Sequence, residues 1–161
     1  MFSLYERNMA LLTSSGVPFR EVEHEAVLSY ETATKIRQRF GLTGVESKSL
    51  LLRLKDGRYG MFISVEGKRA DLKKVKELLG SKPSLCSDEE LIEQTGCVPK
   101  CACPFGHKEQ IILILDSEVF NYQKFLYSPG VPERTIEINT GDIEKIIARL
   151  PNRVVRYNEG E

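Results

Sequence analysis

From Tyr5 to Ser15 apolar residues fall at Tyr5, Met9 and Leu12 with Ala10 and Leu11 beside them, the period of an amphipathic helix. Ser14-Ser15-Gly16 ends it. Pro18 then opens Phe19-Arg20-Glu21-Val22-Glu23-His24, an imperfect alternation that predicts an edge or half-buried strand. A second helix is signalled by Ser29 as cap, by Ala33, Ile36 and Phe40 on one face, and by Gly41 as stop. The apolar runs Lys48 to Leu54 and Tyr59 to Val65 flank Lys55-Asp56-Gly57-Arg58, and Asp-Gly in that place predicts an antiparallel hairpin.

In the second half, Asp71 caps a helix whose Leu72, Val75, Leu78 and Leu79 form one stripe and Lys73, Lys74 and Lys76 the other, with Gly80 beyond. Ser87 and Glu90 make a capping box for a helix that stops at Gly96. Ile111 to Leu115 reads as a buried central strand, and Asp116-Ser117 turns the chain toward Val119-Phe120. Tyr122 to Ser128 fits neither period. Thr135 to Asn139 is a strand with Ile136 and Ile138 on one face, Thr140 caps a last helix from Ile143 to Leu150, and Val154-Val155 pair as a short final strand after Pro151. Helices and strands interleave around a clear hairpin with no glycine-rich phosphate loop. The fold class expected is α+β, with a mixed, largely antiparallel, barrel-like sheet flanked by helices.

Composition narrows the picture only in places. The 161 residues suit a single domain over 1–161 that needs no disulfide or metal staple for its core. Twenty-three basic residues against twenty-three acidic ones remove any global electrostatic case for nucleic acid and leave a local basic patch open. Glu6 and Arg7 interrupt the apolar pattern of the first residues, which do not read as a signal peptide, and no run is long enough for a membrane span. A soluble, cytoplasmic protein is expected. The four cysteines crowd between 86 and 103, a poor disulfide framework, so reduced thiols are the default.

Two rigid loops stand out. Gly96-Cys97-Val98-Pro99-Lys100-Cys101-Ala102-Cys103-Pro104-Phe105-Gly106 combines glycines and prolines with three thiols, and Ser128-Pro129-Gly130-Val131-Pro132 is the second. Cys97, Cys101, Cys103 and His107 offer soft ligands for zinc or an iron-sulfur cluster, but Cys-x-Cys is an unusual spacing. The plainer reading is small apolar residues packing a tight loop. Neither Cys101 nor Cys103 has a convincing activating partner in the sequence. Ser128 lacks the Gly-x-Ser-x-Gly context of a hydrolase elbow. Lys48 follows Gly44-Val45-Glu46-Ser47 at the start of a strand, where a lysine either points into a cleft at the sheet's end or is solvated. His24 reads as a surface or half-buried strand histidine. No carboxylate pair is set up for acid–base work.

Taken together, Ser47-Lys48-Ser49-Leu50-Leu51-Leu52, the hairpin, the lysine-rich helix from Asp71 to Gly80, the 96–106 loop, and Ser128-Pro129-Gly130 leading into Thr135-Ile136-Glu137-Ile138 resemble the YbaK-type aminoacyl-tRNA deacylases. That family is also the editing domain inserted in bacterial prolyl-tRNA synthetases. The resemblance spans nearly the whole chain, in order. It implies hydrolysis of a mischarged aminoacyl ester in trans, for example alanyl- or cysteinyl-tRNA for proline. The partner implied is the aminoacylated tRNA 3′ end, with a synthetase as a further partner; no cofactor, metal or membrane is called for.

By the same resemblance Lys48 matches the family's essential lysine, and Gly96, Val98, Pro99, Lys100 and Gly106 match a backbone wall beside the ester. Ser128 and Gly130 match a second substrate-lining loop, and His24 a pocket residue. The sequence departs from the pattern at Lys100, where a glycine is usual, and at Cys103, where a small hydroxyl residue is common. A non-catalytic tRNA- or protein-binding module on the same fold, or a small metal-binding regulator, are the alternatives.

Overall fold

The computed structural model describes residues 2–158; Met1 and residues 159–161 of the expected 1–161 domain lie outside the described residues. Helix α1 (Leu4–Ser15) starts at a capping box between Ser3 and Glu6 and stops at Gly16. Strand β1 (Phe19–Glu23), helix α2 (Tyr30–Phe40), and the hairpin β2 (Val45–Leu54) and β3 (Tyr59–Val65) follow, then α3 (Leu72–Leu79), β4 (Pro83–Leu85) and α4 (Asp88–Thr95). The remainder is β5 (Ile112–Asp116), a 3-10 turn over Ser117–Asn121, β6 (Lys124–Tyr127), β7 (Arg134–Asn139), α5 (Ile143–Ala148) and β8 (Val154–Tyr157).

The fold is mixed α+β. Its strands run in the order β1-β7-β6-β2-β3-β5-β8, and β4 is added beside β2. The β1·β7, β6·β7, β2·β3 and β2·β4 ladders are antiparallel; β2·β6, β3·β5 and β5·β8 are parallel. The sheet wraps. Phe125, Tyr127, Ile136 and Ile138 from one half and Leu51, Met61, Ile63, Leu113 and Leu115 from the other bury their side chains in one core with Leu12, Ile143 and Ile146. On the opposite face Leu52, Leu54, Phe62, Ile112 and Ile114 pack under Val75 and Leu79 of α3, while Ile36 of α2 covers Val22 and Leu126. Strands buried on both faces read as continuous apolar runs, as Ile111 to Leu115 did.

The periodic elements expected from sequence are present, including the edge strand β1 and the Asp-Gly hairpin. Differences arise where short segments have no period of their own. The Tyr122–Ser128 stretch holds β6, whose Phe125, Leu126 and Tyr127 are all buried between neighbours. The three-residue β4 forms only because β2 is long enough to accept it. Thr140 does not cap α5: its hydroxyl donates to the carbonyls of Tyr122 and Gln123, and α5 begins from a 3-10 turn and ends at Ala148, before Leu150. The start of β2 is anchored by Glu137, whose Oε2 accepts from the backbone N–H groups of Thr43 (3.0 Å) and Gly44 (3.1 Å). A Cβ at Gly44 would stand 3.0 Å from Leu126 Cγ and 3.1 Å from the Lys124 backbone, so the close approach of β2 to β6 needs glycine there.

Leu52 is fully buried where β2 meets β3 and β4. Leu52→Ala should lower the unfolding free energy by about 2–5 kcal/mol in urea titration; a loss of under about 1 kcal/mol would contradict this packing.

Candidate active site

β2 has two edges with unequal partners. One is paired with β3 over Ser47–Arg53. The other meets β6 only at Val45 and Glu46, and β4 only from Leu52 to Leu54. Between them Ser47 to Leu51 has no strand partner on that side; the Leu51 carbonyl alone takes the Cys86 N–H. Glu66 N–H bonds to Glu46 O and Leu54 N–H to Arg58 O, so the even-numbered residues face β3 and alternation turns the backbone groups of Ser47 and Ser49 to the open edge. The Ser49 hydroxyl is buried there without a hydrogen-bond partner.

A cavity of about 490 Å³ opens on this edge. Its other walls are the start of α2, the Leu85–Asp88 entry to α4, residues Lys100–Ala102, and Tyr127, Ser128, Arg134 and Thr135. That volume falls within the ~300–1,000 Å³ range of small-molecule sites. It has an apolar rim from Leu28, Tyr30 and Leu85.

The 96–106 loop reaches the cavity as a turn pinned from behind. Cys101 N–H bonds to Val98 O at 2.9 Å, and Lys100 takes a φ of 69°. This is the left-handed geometry that favours glycine, so the backbone keeps the shape a glycine would give it while carrying a side chain. Asn8 Nδ2 donates to Phe105 O and Leu4 O, Cys97 N–H to Thr95 Oγ1, and Cys103 N–H to the Cys97 sulfur. His107 Nε2 donates to Cys103 O at 2.6 Å.

These contacts decide what the thiols can do. Burial raises the pKa of Cys97 and Cys101, that of Cys103 lies well above the ordinary range, and Cys86 is pushed up to about 11. All four remain protonated at neutral pH, which disfavours them as nucleophiles. Among the described residues no group of three or more His, Cys, Asp or Glu side chains gathers as a metal site. Ser128 stands near Cys101 and offsets part of the rise that burial gives its thiol, while its own hydroxyl donates to the Val131 carbonyl at 3.0 Å.

Charged groups of both signs line the cavity. Lys48 Nζ donates to the Lys68 carbonyl at 2.6 Å. Glu46 is largely buried; desolvation pushes its carboxyl up to about 7 despite Arg37, whose Nε is 3.9 Å away, and Glu66 adds to the rise. A carboxyl in that range exchanges a proton at neutral pH. Arg134 is paired with Glu21 at 3.1 Å, and Lys100 is exposed.

Of the residues expected at a pocket, Lys48, Lys100 and Ser128 line this cavity, and His24, Gly96, Val98, Pro99, Gly106 and Gly130 do not. His24 stands behind Thr135, with Nε2 2.7 Å from its hydroxyl and Nδ1 2.6 Å from the Glu25 carbonyl. Val98 and Pro99 form the turn that presents the next three residues. Gly96 caps α4 and, with Gly106, borders a groove beside Arg7 and His107. Gly106 and Gly130 back onto α1, where added Cβ atoms would stand 2.9 Å from Asn8 and 2.8 Å from Leu4. Lys48 is also not at a strand start, because β2 begins at Val45 and carries Glu46 into the cavity wall. Glu46, Ser49, Cys86 and Thr135 escaped the sequence reading. Glu46 shares a strand face with Lys48, and Thr135 is offset by one from the buried Ile136, so these two had a signal; Ser49 and Cys86 depend on the unpaired edge.

Two outcomes follow for stability. Lys100→Gly relieves the left-handed strain and should raise the unfolding free energy by about 1 kcal/mol in urea titration, where no gain would refute the strain. His107 is held down to about 4, chiefly by burial, so the stability it contributes is full above its ordinary 6.5 and is lost as pH falls toward 4. Glu46 acts oppositely: raised to about 7, it contributes stability present below its ordinary 4.5 and lost as pH rises through 7. Between pH 6.5 and 4.5 the two offset each other in the parent. Glu46→Gln should therefore lose about 2 kcal/mol over that interval beyond any change in the parent; identical profiles would refute the opposed titrations.

The geometry has relatives. A profile of the aminoacyl-tRNA editing domain matches residues 24–146. The chain is 29% identical over 147 residues to the multifunctional Ser/Thr-tRNA deacylase ProXp-y of Escherichia coli strain K12, covering 88% of this chain and 87% of that protein. Among solved structures, a protein provisionally assigned as a trans-editing enzyme for prolyl tRNA synthetase superposes with a TM-score of 0.75 at 24% identity, covering 99% of both chains. Hypothetical protein APE2540 superposes with a TM-score of 0.78 at 17% identity, over 92% of this chain and 97% of that one. Profile and relative both fit a hydrolase that acts on an ester bond, as the resemblance implied. The cavity beside β2, with Lys48 in its wall, is thus a feature of a chain that belongs to the aminoacyl-tRNA editing domain family.

Proposed function

We propose that this protein removes a mischarged amino acid from tRNA in trans, and that the cavity on the open edge of β2 receives the aminoacylated 3′ end. The observation that carries the reading is Lys48 in the wall of a cavity that also presents the unpaired strand edge of Ser47 and Ser49 and the strained Lys100–Ala102 turn. The Ser49, Ser128 and Thr135 hydroxyls suit a small polar aminoacyl side chain. Seryl and threonyl esters therefore join the alanyl and cysteinyl esters as candidate substrates. The prolyl-tRNA synthetase system is the proposed setting, with the synthetase as a further partner and the cytoplasm as the place of action.

A synthetase separates side chains that differ by a methylene by only about 1–3 kcal/mol, so a second sieve that hydrolyses the errors is needed. An oriented water attacks the ester carbonyl, the bond to the ribose oxygen breaks, and free amino acid and tRNA leave. The N–H groups of Lys100 and Ala102, flanking the Cys101 N–H that is committed to Val98 O, face the developing oxyanion, and Lys48 fixes the terminal phosphate or ribose. The vicinal ribose hydroxyl shares in proton transfer, with Glu46 as the cavity's proton-exchanging carboxyl. Gly96, Gly106 and Gly130 serve by shaping the two loops, and His24 by orienting Thr135.

The test is a panel of seryl-, threonyl-, alanyl- and cysteinyl-tRNAs incubated with the protein and with Lys48→Ala. At least one should release its amino acid, and the variant should lose about tenfold or more in kcat/KM. Lys100→Gly should keep or raise that activity. No release above buffer from any tRNA would end the enzymatic reading.

A further inference from the structure

The ammonium of Lys48 makes its hydrogen bond to a main-chain carbonyl, that of Lys68 at 2.6 Å. Its location therefore depends on what fixes the segment after β3. Lys68 is fixed by charge: its Nζ lies 3.2 Å from Asp116 Oδ2 and 3.1 Å from Glu118 Oε1. Burial would lower the Lys68 pKa, yet these two carboxylates outweigh it and hold the ammonium above its usual range.

Asp116 has no exposed surface at all, and a carboxylate in that position is tolerated only when its oxygens are satisfied. Oδ2 accepts from Ser64 Oγ at 2.8 Å; Oδ1 accepts from the Glu118 N–H at 3.0 Å and Asn158 Nδ2 at 3.4 Å. Ser64 is the residue directly opposite Lys48 in the β2·β3 ladder. One buried carboxylate thus ties down both the rung across from Lys48 and the segment whose carbonyl receives the Lys48 ammonium. Neither Asp116 nor Lys68 lines the cavity. Asn158 adds a contact from beyond the stretch matched by the family profile, at the end of β8.

We propose that Asp116 and Lys68 are positioning residues for Lys48: the ion pair between buried Asp116 and half-buried Lys68 holds the Lys68 carbonyl in place, and that carbonyl sets the Lys48 ammonium in the cavity wall. This rests on Lys48 holding the 3′ end of the substrate. Lys68→Met removes the ion pair but keeps the main-chain carbonyl and most of the stem; Lys68→Arg restores the charge.

Two readouts separate positioning from general stability. The first is the acetylation rate of Lys48 with acetic anhydride, followed by peptide mass spectrometry, which reports the hold on the ammonium without any need for turnover. The second is KM and kcat on the best substrate of the tRNA panel. Lys68→Met should raise Lys48 acetylation about fivefold, the scale of one lost hydrogen bond. It should also raise KM about tenfold with kcat changed less than about twofold, as expected when binding alone is weakened. Lys68→Arg should restore both. Asp116→Asn should match Lys68→Met, and if it does not fold, Lys68→Met decides.

Unchanged acetylation in Lys68→Met overturns the proposal. If Lys48→Ala is impaired while Lys68→Met keeps the wild-type KM, the positioning role falls and the deacylase reading stands. If the wild type releases no amino acid, the deacylase reading falls, and the acetylation rates alone uphold or overturn the hold on Lys48.

Discussion

The structure turns on how β2 distributes its hydrogen bonds. A ten-residue strand is paired along one edge and only at its two ends along the other, because β6 joins it at Val45–Glu46 and β4 at Leu52–Leu54. Buried backbone groups normally find partners, so an unpaired stretch persists where water or a ligand can reach it. That condition creates the cavity. It also explains why Glu46, Lys48 and Ser49, ordinary polar residues by composition, stand half-buried at one place. The arrangement needs both ends of the strand held, by Glu137 and the Gly44 contact at one end and by the β4 ladder at the other.

The cysteine-rich loop serves the same cavity by shape. Its thiols are protonated, buried, and used as packing groups and weak hydrogen-bonding partners. The polar work of holding the loop falls to Asn8 and His107, which bond to carbonyls of residues 103 and 105. Lys100 is the point where this construction stores strain, with a lysine in a glycine-favoured conformation at the cavity wall. A cavity-lining backbone and an exposed charge are thereby combined in one residue.

A second theme is that polar groups reach the cavity through others. Thr135 is oriented by His24, and Lys48 by the carbonyl of Lys68, itself secured by Asp116. Buried charge of this kind adds little net stability, since desolvation offsets attraction. Its value lies in fixing one geometry near a site that must hold flexible side chains still.

By itself the sequence determined the elements with strong periodicity or clear caps: α1, α2, α3, α4, the β2–β3 hairpin and the buried strand β5. These depend on residues a few positions apart, and the order of motifs that includes Lys48, the 96–106 loop and Ser128 was legible for the same reason. Tertiary structure alone decided β4 and β6, which are too short to carry a period and exist through their pairing with β2. It also decided which way each loop residue faces, so that Lys100 and Ser128 reach the cavity while Gly96, Gly106 and Gly130 support it from behind. The position of Glu46 beside Lys48 was legible, but its chemistry was hidden for a related reason: a carboxyl becomes a group that titrates near neutrality only through its burial, and burial is set by residues distant in the chain.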